Sequence, residues 1–211
     1  MMNSRERILA AVKTNQPAYT ELPSLAAFQS TNSGSLDSFR TSLDNLGARS
    51  YLIHNTSEIE DIIRAEHPAL GTVIATEPGF YSGPAWSWQG GDGRQLEHVD
   101  MAIIRASLGV AENGAVWIPE SQLQARVLPF ITQHLSVVLS AAHIVPTLHD
   151  AYTRLGAPED GFGVFLAGPS KTADIEQSLV LGAHGAKSLM VFILLPDPHT
   201  DSHHRELLNK K

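Results

Sequence analysis

Helical and strand patterns alternate along the chain after residue 35, and this alternation constrains the fold more than any other feature. Leu36, Phe39 and Leu43 recur at the spacing of a single helix face, and Gly47 supplies a left-handed stop after them. A second helical segment, SEIEDIIRAEH, opens with Ser57 and Glu60 at the spacing of a capping box. Two more helices are predicted from the segments IVPTLHDAYTRL and ADIEQSLVLG.

Short apolar runs lie between these helical segments and read as strands. In chain order they are RSYLIH, GTVIAT, MAIIRA, GAVWI, LSVVL, FGVFLA and SLMVFILL. Strands that alternate with helices favour an α/β fold with a mainly parallel sheet and helices on both faces. Loops at the carboxyl ends of such strands are where these folds usually bind ligands.

The first 35 residues have a different pattern. Asn3 or Ser4 can cap a short helix with Ile8, Leu9 and Val12 on one face. A stretch rich in Thr, Asn, Ser, Gly and Pro follows, which is typical of a linker or of an arm laid along a surface. We therefore expect an N-terminal helix with an extended arm over 1–35 and a single α/β domain over 36–211.

Charge and composition exclude several classes of function. Lys and Arg number 15 against 22 Asp and Glu, so the net charge is −7, which argues against nucleic acid or an anionic membrane as the main partner. No apolar run is long enough to span a membrane, and the N-terminus lacks an apolar signal core, so we expect a cytoplasmic protein. The absence of cysteine excludes thiol nucleophiles and iron–sulfur clusters held by this chain alone.

The run GPSKTADIE, residues 168–176, follows the apolar run FGVFLA and precedes a predicted helix. A helix N-terminus offers unpaired N–H groups, and Lys171 adds a full positive charge, so the turn could bind a phosphate, a sulfate or a carboxylate. Asp174 and Glu176 would occupy the first helical turn and repel a multiply charged ligand. On composition alone a capped helix with no ligand is the favoured interpretation.

Glu112 lies in the segment LGVAENGAVWIPE, between two apolar runs. A carboxylate at such a position is suited to proton transfer or to attack on an acyl group. The alternative is a hairpin turn in which Asn113 and Gly114 supply the backbone geometry and Glu112 is solvated. Because Asn-Gly is a strong turn signal, the turn is favoured on composition.

Histidines offer a third set of candidates. His184 lies between two glycines and could orient a substrate, donate a proton or cap a helix. His199, His203 and His204 cluster near the C-terminus, but their spacing enforces no ligand geometry, and we predict no metal site. The long segment 77–99 contains Phe80, Trp86 and Trp88 and is predicted to be a lid or a subunit contact.

The run GPSKTADIEQSLVLGAHG, together with AENGAV and AAHIVPTLHDAY, resembles the LUD-domain family from about Val99 to Leu195. The resemblance implies a ribose-5-phosphate isomerase and CoA-transferase-like fold with a mainly parallel sheet. It also implies a part in the oxidation of L-lactate to pyruvate together with iron–sulfur partner proteins. A chain without cysteine fits this division of labour, because the partners would hold the clusters.

The resemblance marks a site but assigns no reaction and no cofactor. Family members often have Thr where Asn113 stands, so the side-chain chemistry at that position is not fixed by the resemblance. A small carboxylate or phosphate is the implied kind of ligand. The positions that match the two motifs are Gly168, Pro169, Ser170, Lys171, Thr172, Asp174, Glu176 and His184 in the first, and Glu112, Asn113 and Gly114 in the second.

The AENG segment is also similar to the SENG segment of class I CoA transferases, whose glutamate attacks the thioester of an acyl-CoA. This similarity would make Glu112 a nucleophile, although those enzymes use two such domains and this chain has length for one. Three functions therefore stay open. The first is a subunit of a lactate-oxidising system that binds a small anionic ligand, or a partner, in a cleft formed by Glu112 and the GPSKT loop. The others are a CoA- or acyl-transferring enzyme that uses Glu112, and a non-catalytic assembly subunit. A homo-oligomer is compatible with each.

Overall fold

The computed structural model describes residues 3–24, 34–83, 88, 90–156, 161–175 and 178–196. The chain divides into two compact units, Met1–Thr31 and Asn32–Lys211. The predicted division into an arm over 1–35 and a domain over 36–211 stays a prediction. No helix among the described residues is both long enough and apolar enough to cross a membrane.

The first unit contains helix α1 (Ser4–Thr14), which confirms the predicted N-terminal helix. Asn3 caps it, and Glu6 returns a hydrogen bond to the Asn3 backbone N–H in a complete capping box. The apolar residues Ile8, Leu9 and Val12 are exposed on this helix.

The described residues of the second unit form four α-helices and eleven strands. The helices are α2 (Leu36–Leu46), α3 (Glu58–Glu66), α4 (Leu128–Ile131) and α5 (Leu148–Leu155). The strands are β1 (Arg49–Ile53), β2 (Val73–Ala75), β3 (Met101–Arg105), β4 (Leu108–Val110), β5 (Ala115–Pro119), β6 (His134–Ser140), β7 (Ile144–Val145), β8 (Gly163–Leu166), β9 (Lys171–Ile175), β10 (Ser178–Leu181) and β11 (Ser188–Leu194).

A five-stranded parallel sheet in the order β1-β11-β6-β3-β2 forms the centre of the unit. The side chains of each strand point alternately to the two faces of the sheet, so they contribute to two apolar cores, one on each face. Helix α3 buries Ile59 and Ile63 against one face, beside Met101 and Phe192. Helix α2 and the second sheet cover the other face. The predicted α/β fold with a mainly parallel sheet is therefore confirmed.

The second sheet has four strands in the order β7-β4-β5-β8. Strand β5 pairs antiparallel with both β4 and β8, whereas β7 pairs parallel with β4. Val116 and Ile118 of β5 join the core that α2 forms with the central sheet. This mixed sheet carries both predicted motifs, since AENG connects β4 to β5 and GPSKT follows β8.

The predicted helix ADIEQSLVLG is wrong, because this segment is a two-stranded antiparallel hairpin of β9 and β10. Thr172 pairs with Val180, and Lys171 pairs with Leu181. Asp174, which the sequence predicted in a first helical turn, is therefore a residue of β9. With no helix following GPSKT, the argument from a helix dipole at this turn does not hold.

The predicted capping box of Ser57 and Glu60 at the start of α3 is corrected by side-chain contacts. Ser57 makes no capping hydrogen bond at the start of α3. Glu60 instead accepts hydrogen bonds from the backbone N–H and hydroxyl of Ser82 and from Arg64. Instead of forming the predicted capping box, Glu60 thus joins α3 to the loop after β2 by its hydrogen bonds with Ser82.

The described aromatic residues of the loop 77–99 face the interior. Phe80 is buried in the core beneath α3, and the half-buried Trp88 packs against the core beneath α2. Trp86 lies outside the described residues. A lid or subunit contact made by this loop stays a prediction, while Phe80 and Trp88 have structural roles.

Candidate functional site

The GPSKT turn begins where β8 ends, and the β9–β10 hairpin returns the chain beside it. Gly168 turns the backbone at φ +78°, a conformation that favours glycine. The Ser170 N–H donates to the carbonyl of Ala186 at 2.9 Å, and the Gly182 N–H donates to the carbonyl of Ser170 at 3.0 Å. These bonds hold the two ends of the hairpin side by side.

A hollow of about 210 Å³ opens between these two hairpin ends, and we call it the GPS hollow. Its polar side chains are Ser170 and His184, and the rest of its wall is largely apolar. Gly185 is tightly packed, since an added Cβ would lie 3.2 Å from the Cβ of Ser170. The lining residues are Pro129, Phe130, Leu135, Phe165, Leu166, Ala167, Gly168, Pro169, Ser170, His184, Gly185, Ala186 and Leu189.

The structure therefore brings together Gly168, Pro169, Ser170 and His184 of the first motif. Lys171 is exposed, and its Nζ lies 3.9 Å from the position that a Cβ on Gly47 would take, beside the C-terminal end of α2. A lysine at a helix C-terminus complements the partial negative charge there. Thr172 and the backbone of Asp174 belong to β9, whereas the Asp174 side chain and all of Glu176 lie outside the described part of the chain.

The AENG segment is the hairpin turn between β4 and β5, as the favoured interpretation of the sequence predicted. Gly114 has φ +66° and its N–H donates to the carbonyl of Val110 at 2.9 Å. The Asn113 side-chain oxygen accepts from the Ala115 N–H at 3.0 Å. Asn113 thus stabilises the turn through its own side chain.

The exposed Glu112 points to helix α5 and does not line the GPS hollow. Its Oε1 accepts a hydrogen bond from the backbone N–H of Leu148 at 2.7 Å. Leu148 is the first residue of α5, where backbone N–H groups lack helical partners. Glu112 therefore supports the start of a helix in addition to the capping box that Thr147 and Asp150 form there.

The two motifs meet at one residue, Leu46, on the last turn of α2. A Cβ on Gly114 would lie 3.1 Å from the Cδ1 of Leu46, and a Cβ on Gly168 would lie 2.9 Å from its Cβ. Ser42 of the same helix donates a hydrogen bond to the carbonyl of Ala111 at 2.7 Å. The C-terminal half of α2 thus fixes both turns, but through packed contacts and not across an open cleft.

The carboxyl edge of the parallel sheet has a larger hollow of about 580 Å³, lined on one side by Thr56, Ser57, Glu60 and Asp61. Hydrogen bonds from Ser82 and Arg64 lower the pKa of Glu60 to about 2, so this carboxylate stays charged near neutral pH. The negative charge of this wall disfavours an anionic ligand. None of the described residues that line the GPS hollow is acidic.

Sequence reasoning missed a third hollow, at the amino edge of the parallel sheet. It has a volume of about 360 Å³, and its wall includes His67, Asp100, His134 and Lys187. Asp100, Gln133–His134 and Lys187 lie at or directly before the starts of β3, β6 and β11. A polar residue directly before each apolar run was the available signal, because parallel strands bring their starts to one edge.

The amino-acid sequence matches a protein family and several known proteins. A family model described as the LUD domain matches residues 12–194. An uncharacterized protein of Neisseria meningitidis serogroup B is 28% identical over 170 residues, covering 79% of this chain and 70% of that protein. Lactate utilization protein C of Bacillus pumilus is 30% identical over 110 residues, covering 49% of this chain and 45% of that protein.

The fold also has a solved counterpart. A crystal structure of a DUF162 family protein from Deinococcus radiodurans matches with a TM-score of 0.57 at 15% identity. The match covers 75% of this chain and 95% of the Deinococcus chain. At this level of identity the likeness concerns the fold alone.

Proposed function

Because the chain belongs to the LUD domain family, we propose that it is a subunit of a cytoplasmic L-lactate utilization system and binds a small carboxylate in the GPS hollow. Relatives named lactate utilization protein C support the lactate role. Iron–sulfur proteins are the proposed partners, since a chain without cysteine supplies no thiolate ligands for a cluster.

The observation that carries the choice of site is the meeting of Ser170 and His184 in one hollow. A hydroxyl and an imidazole at the end of an apolar wall are the groups that orient a small polar ligand. The volume of about 210 Å³ suits a small carboxylate and is too small to enclose a nucleotide or a whole CoA. Lys171 does not line the hollow, but as an exposed residue next to Ser170 in the chain it adds a positive charge to the surrounding surface, which attracts an anion.

The test is growth on L-lactate as sole carbon source, in a strain that carries the chain as its only copy. Ser170→Ala, His184→Gln and Lys171→Ala are each expected to slow or abolish this growth while leaving the melting temperature nearly unchanged. His149→Gln is the matched control, because His149 is an exposed residue of α5 that does not line the hollow.

The outcomes separate the role from the site. Growth on lactate after deletion of the whole chain would remove the lactate role. Loss of growth on deletion but normal growth of all three variants would keep the role and remove the GPS hollow. Thermal shifts with L-lactate and pyruvate, present in the unaltered chain and lost in His184→Gln, would assign the ligand directly.

A further inference from the structure

The amino-edge hollow, lined by His67, Asp100, His134 and Lys187, is a site that the lactate role does not use. Its residues come from the end of α3 and from the starts of β3, β6 and β11. It lies on the α3 face of the sheet, whereas the GPS hollow lies on the α2 face. His134 lines the first hollow, and the next residue, Leu135, lines the second.

Two imidazoles form the centre of this hollow. The rings of His67 and His134 are tilted at 48° with centroids 4.3 Å apart. The Nδ1 of His134 is 2.8 Å from the hydroxyl oxygen of Ser188, which fixes the ring and leaves its Nε2 side for another partner. The pair therefore presents two closely spaced imidazole rings on the wall of an open cavity.

Most of the charged side chains around the two histidines already have hydrogen-bond or ion-pair partners. Arg49 and Glu66 form an ion pair with each other. The Oδ2 of Asp100 accepts hydrogen bonds from the N–H groups of Gly71 and Thr72, at 3.1 and 2.8 Å. Lys187, by contrast, forms no ion pair with any residue that the structure describes.

We propose that this hollow binds a small oxyanion, a carboxylate or a phosphoryl group, between Lys187 and the two imidazoles, which take up protons as it binds. Charge-assisted hydrogen bonds from an ammonium and from imidazolium N–H groups suit both kinds of oxyanion. The carboxylates of Asp100 and Glu66 face the same hollow, but the backbone N–H groups and Arg49 already engage them.

Burial chiefly lowers the pKa of both histidines, aided by Arg49 at His67 and by His67 and Lys187 at His134, while Asp100 opposes the shift at His134. Both imidazoles are therefore neutral near neutral pH in the empty hollow. A bound anion favours the protonated rings, so by linkage the anion binds more tightly as the pH falls.

A metal ion fits this hollow less well than an anion. The positive charge of Lys187 repels a cation. Among the residues that the structure describes, no group of three or more His, Cys, Asp or Glu side chains is arranged to hold a metal.

The test follows the ring resonances of His67 and His134 by NMR during pH titrations of the full chain. His67→Gln and His134→Gln variants assign the two resonances. One series contains inorganic phosphate, a second contains acetate, and a third contains chloride at the same ionic strength. Phosphate or acetate is expected to raise the pKa of both rings relative to chloride, and the more effective of the two identifies the preferred group.

Lys187→Gln is expected to lower the affinity for the anion roughly tenfold, as is typical for the loss of one charge-assisted hydrogen bond. The two ring resonances should then respond only at correspondingly higher anion concentrations. Lys187→Arg should restore the affinity. Lys171→Gln is the matched control, because this exposed lysine does not line the amino-edge hollow and its loss should leave the two resonances responding normally. Lys187 is exposed, so these variants are expected to fold.

Equal titration curves in phosphate, acetate and chloride would overturn the proposal, as would an unchanged response in Lys187→Gln. These outcomes are independent of growth on lactate. The amino-edge site can therefore fail while the proposed function stands, and the reverse also holds.

Discussion

The carboxylate of Glu112 and the backbone N–H of Leu148 form a hydrogen bond of 2.7 Å that joins the AENG turn to the start of α5. Glu112→Gln retains an acceptor oxygen, so we expect near-normal stability and normal growth on lactate. Glu112→Ala removes the acceptor and is expected to cost about 1 kcal/mol in the free energy of unfolding, measured by urea denaturation.

A nucleophilic Glu112 would give a different result. Glu112→Gln would then abolish function without a loss of stability, because an amide cannot attack an acyl group. Incubation of the unaltered chain with an acyl-CoA, followed by borohydride and intact-mass measurement, would in that case reveal trapping at Glu112. We expect no such adduct.

Gly168→Ala is expected to destabilise the chain more than Gly47→Ala. Both glycines have a positive φ, of +78° and +80°, so each substitution costs about 1–2 kcal/mol in backbone strain. At Gly168 the new Cβ would also lie 2.9 Å from the Cβ of Leu46, whereas at Gly47 the nearest atom is the flexible end of Lys171 at 3.9 Å. Comparable unfolding free energies for the two variants would show that the Leu46 contact relaxes at little cost.

Glu60→Gln is expected to flatten the acid limb of the stability profile. Hydrogen bonds from Ser82 and Arg64 lower the pKa of Glu60 from 4.5 to about 2, so its contribution is present above pH 4.5 and is lost as the pH falls towards 2. Urea denaturation across this window should give a shallower slope for Glu60→Gln than for the unaltered chain. Ser82→Ala, which removes only the hydroxyl donor, should give an intermediate slope.

His67 and His134 give a second expected pH dependence of stability. At Glu60 the fold stabilises the charged form of the side chain, whereas at these two histidines burial destabilises the charged form. Both have a lowered pKa in the folded chain, so below the unfolded value of 6.5 the unfolded state binds more protons. Stability is therefore full above pH 6.5, falls as the pH drops from 6.5 towards the folded pKa values, and levels off below them. In chloride buffer, the His67→Gln/His134→Gln double variant should lose less stability over this range, measured by thermal denaturation. An unchanged profile would contradict the lowered values.

The α/β architecture was predictable because its segments carry a strong apolar period. Leu36, Phe39 and Leu43 form one helix face, and the short apolar runs MAIIR and SLMVFIL are typical of strands in a sheet that is covered on both faces. The AENG turn was predictable for a local reason as well, since Asn-Gly selects turns. Local signals and the global fold agree at these positions.

The segment after GPSKT was not predictable in the same way. TADIE carries the Thr and acidic residues of a helix start, yet Thr172 and Val180 pair across a hairpin. A strand is stabilised by a partner that lies outside the segment itself, here β10, so pairing overrides the local propensity that a single segment shows. The nearness of Ser170 and His184 follows from this hairpin and was therefore hidden as well.

His134 and Leu135 are neighbours on β6 and point to opposite faces of the sheet, so His134 lines the amino-edge hollow and Leu135 lines the GPS hollow. Both hollows therefore depend on the register of β6. Slippage of β6 by one residue would turn the imidazole into the apolar wall and the leucine into the polar one. A deletion at Gln133 would thus damage both cavities together, whereas point substitutions alter them separately. Shortening the loop before β6 would therefore change both cavities at once. We expect relatives of this chain to differ in length at other loops.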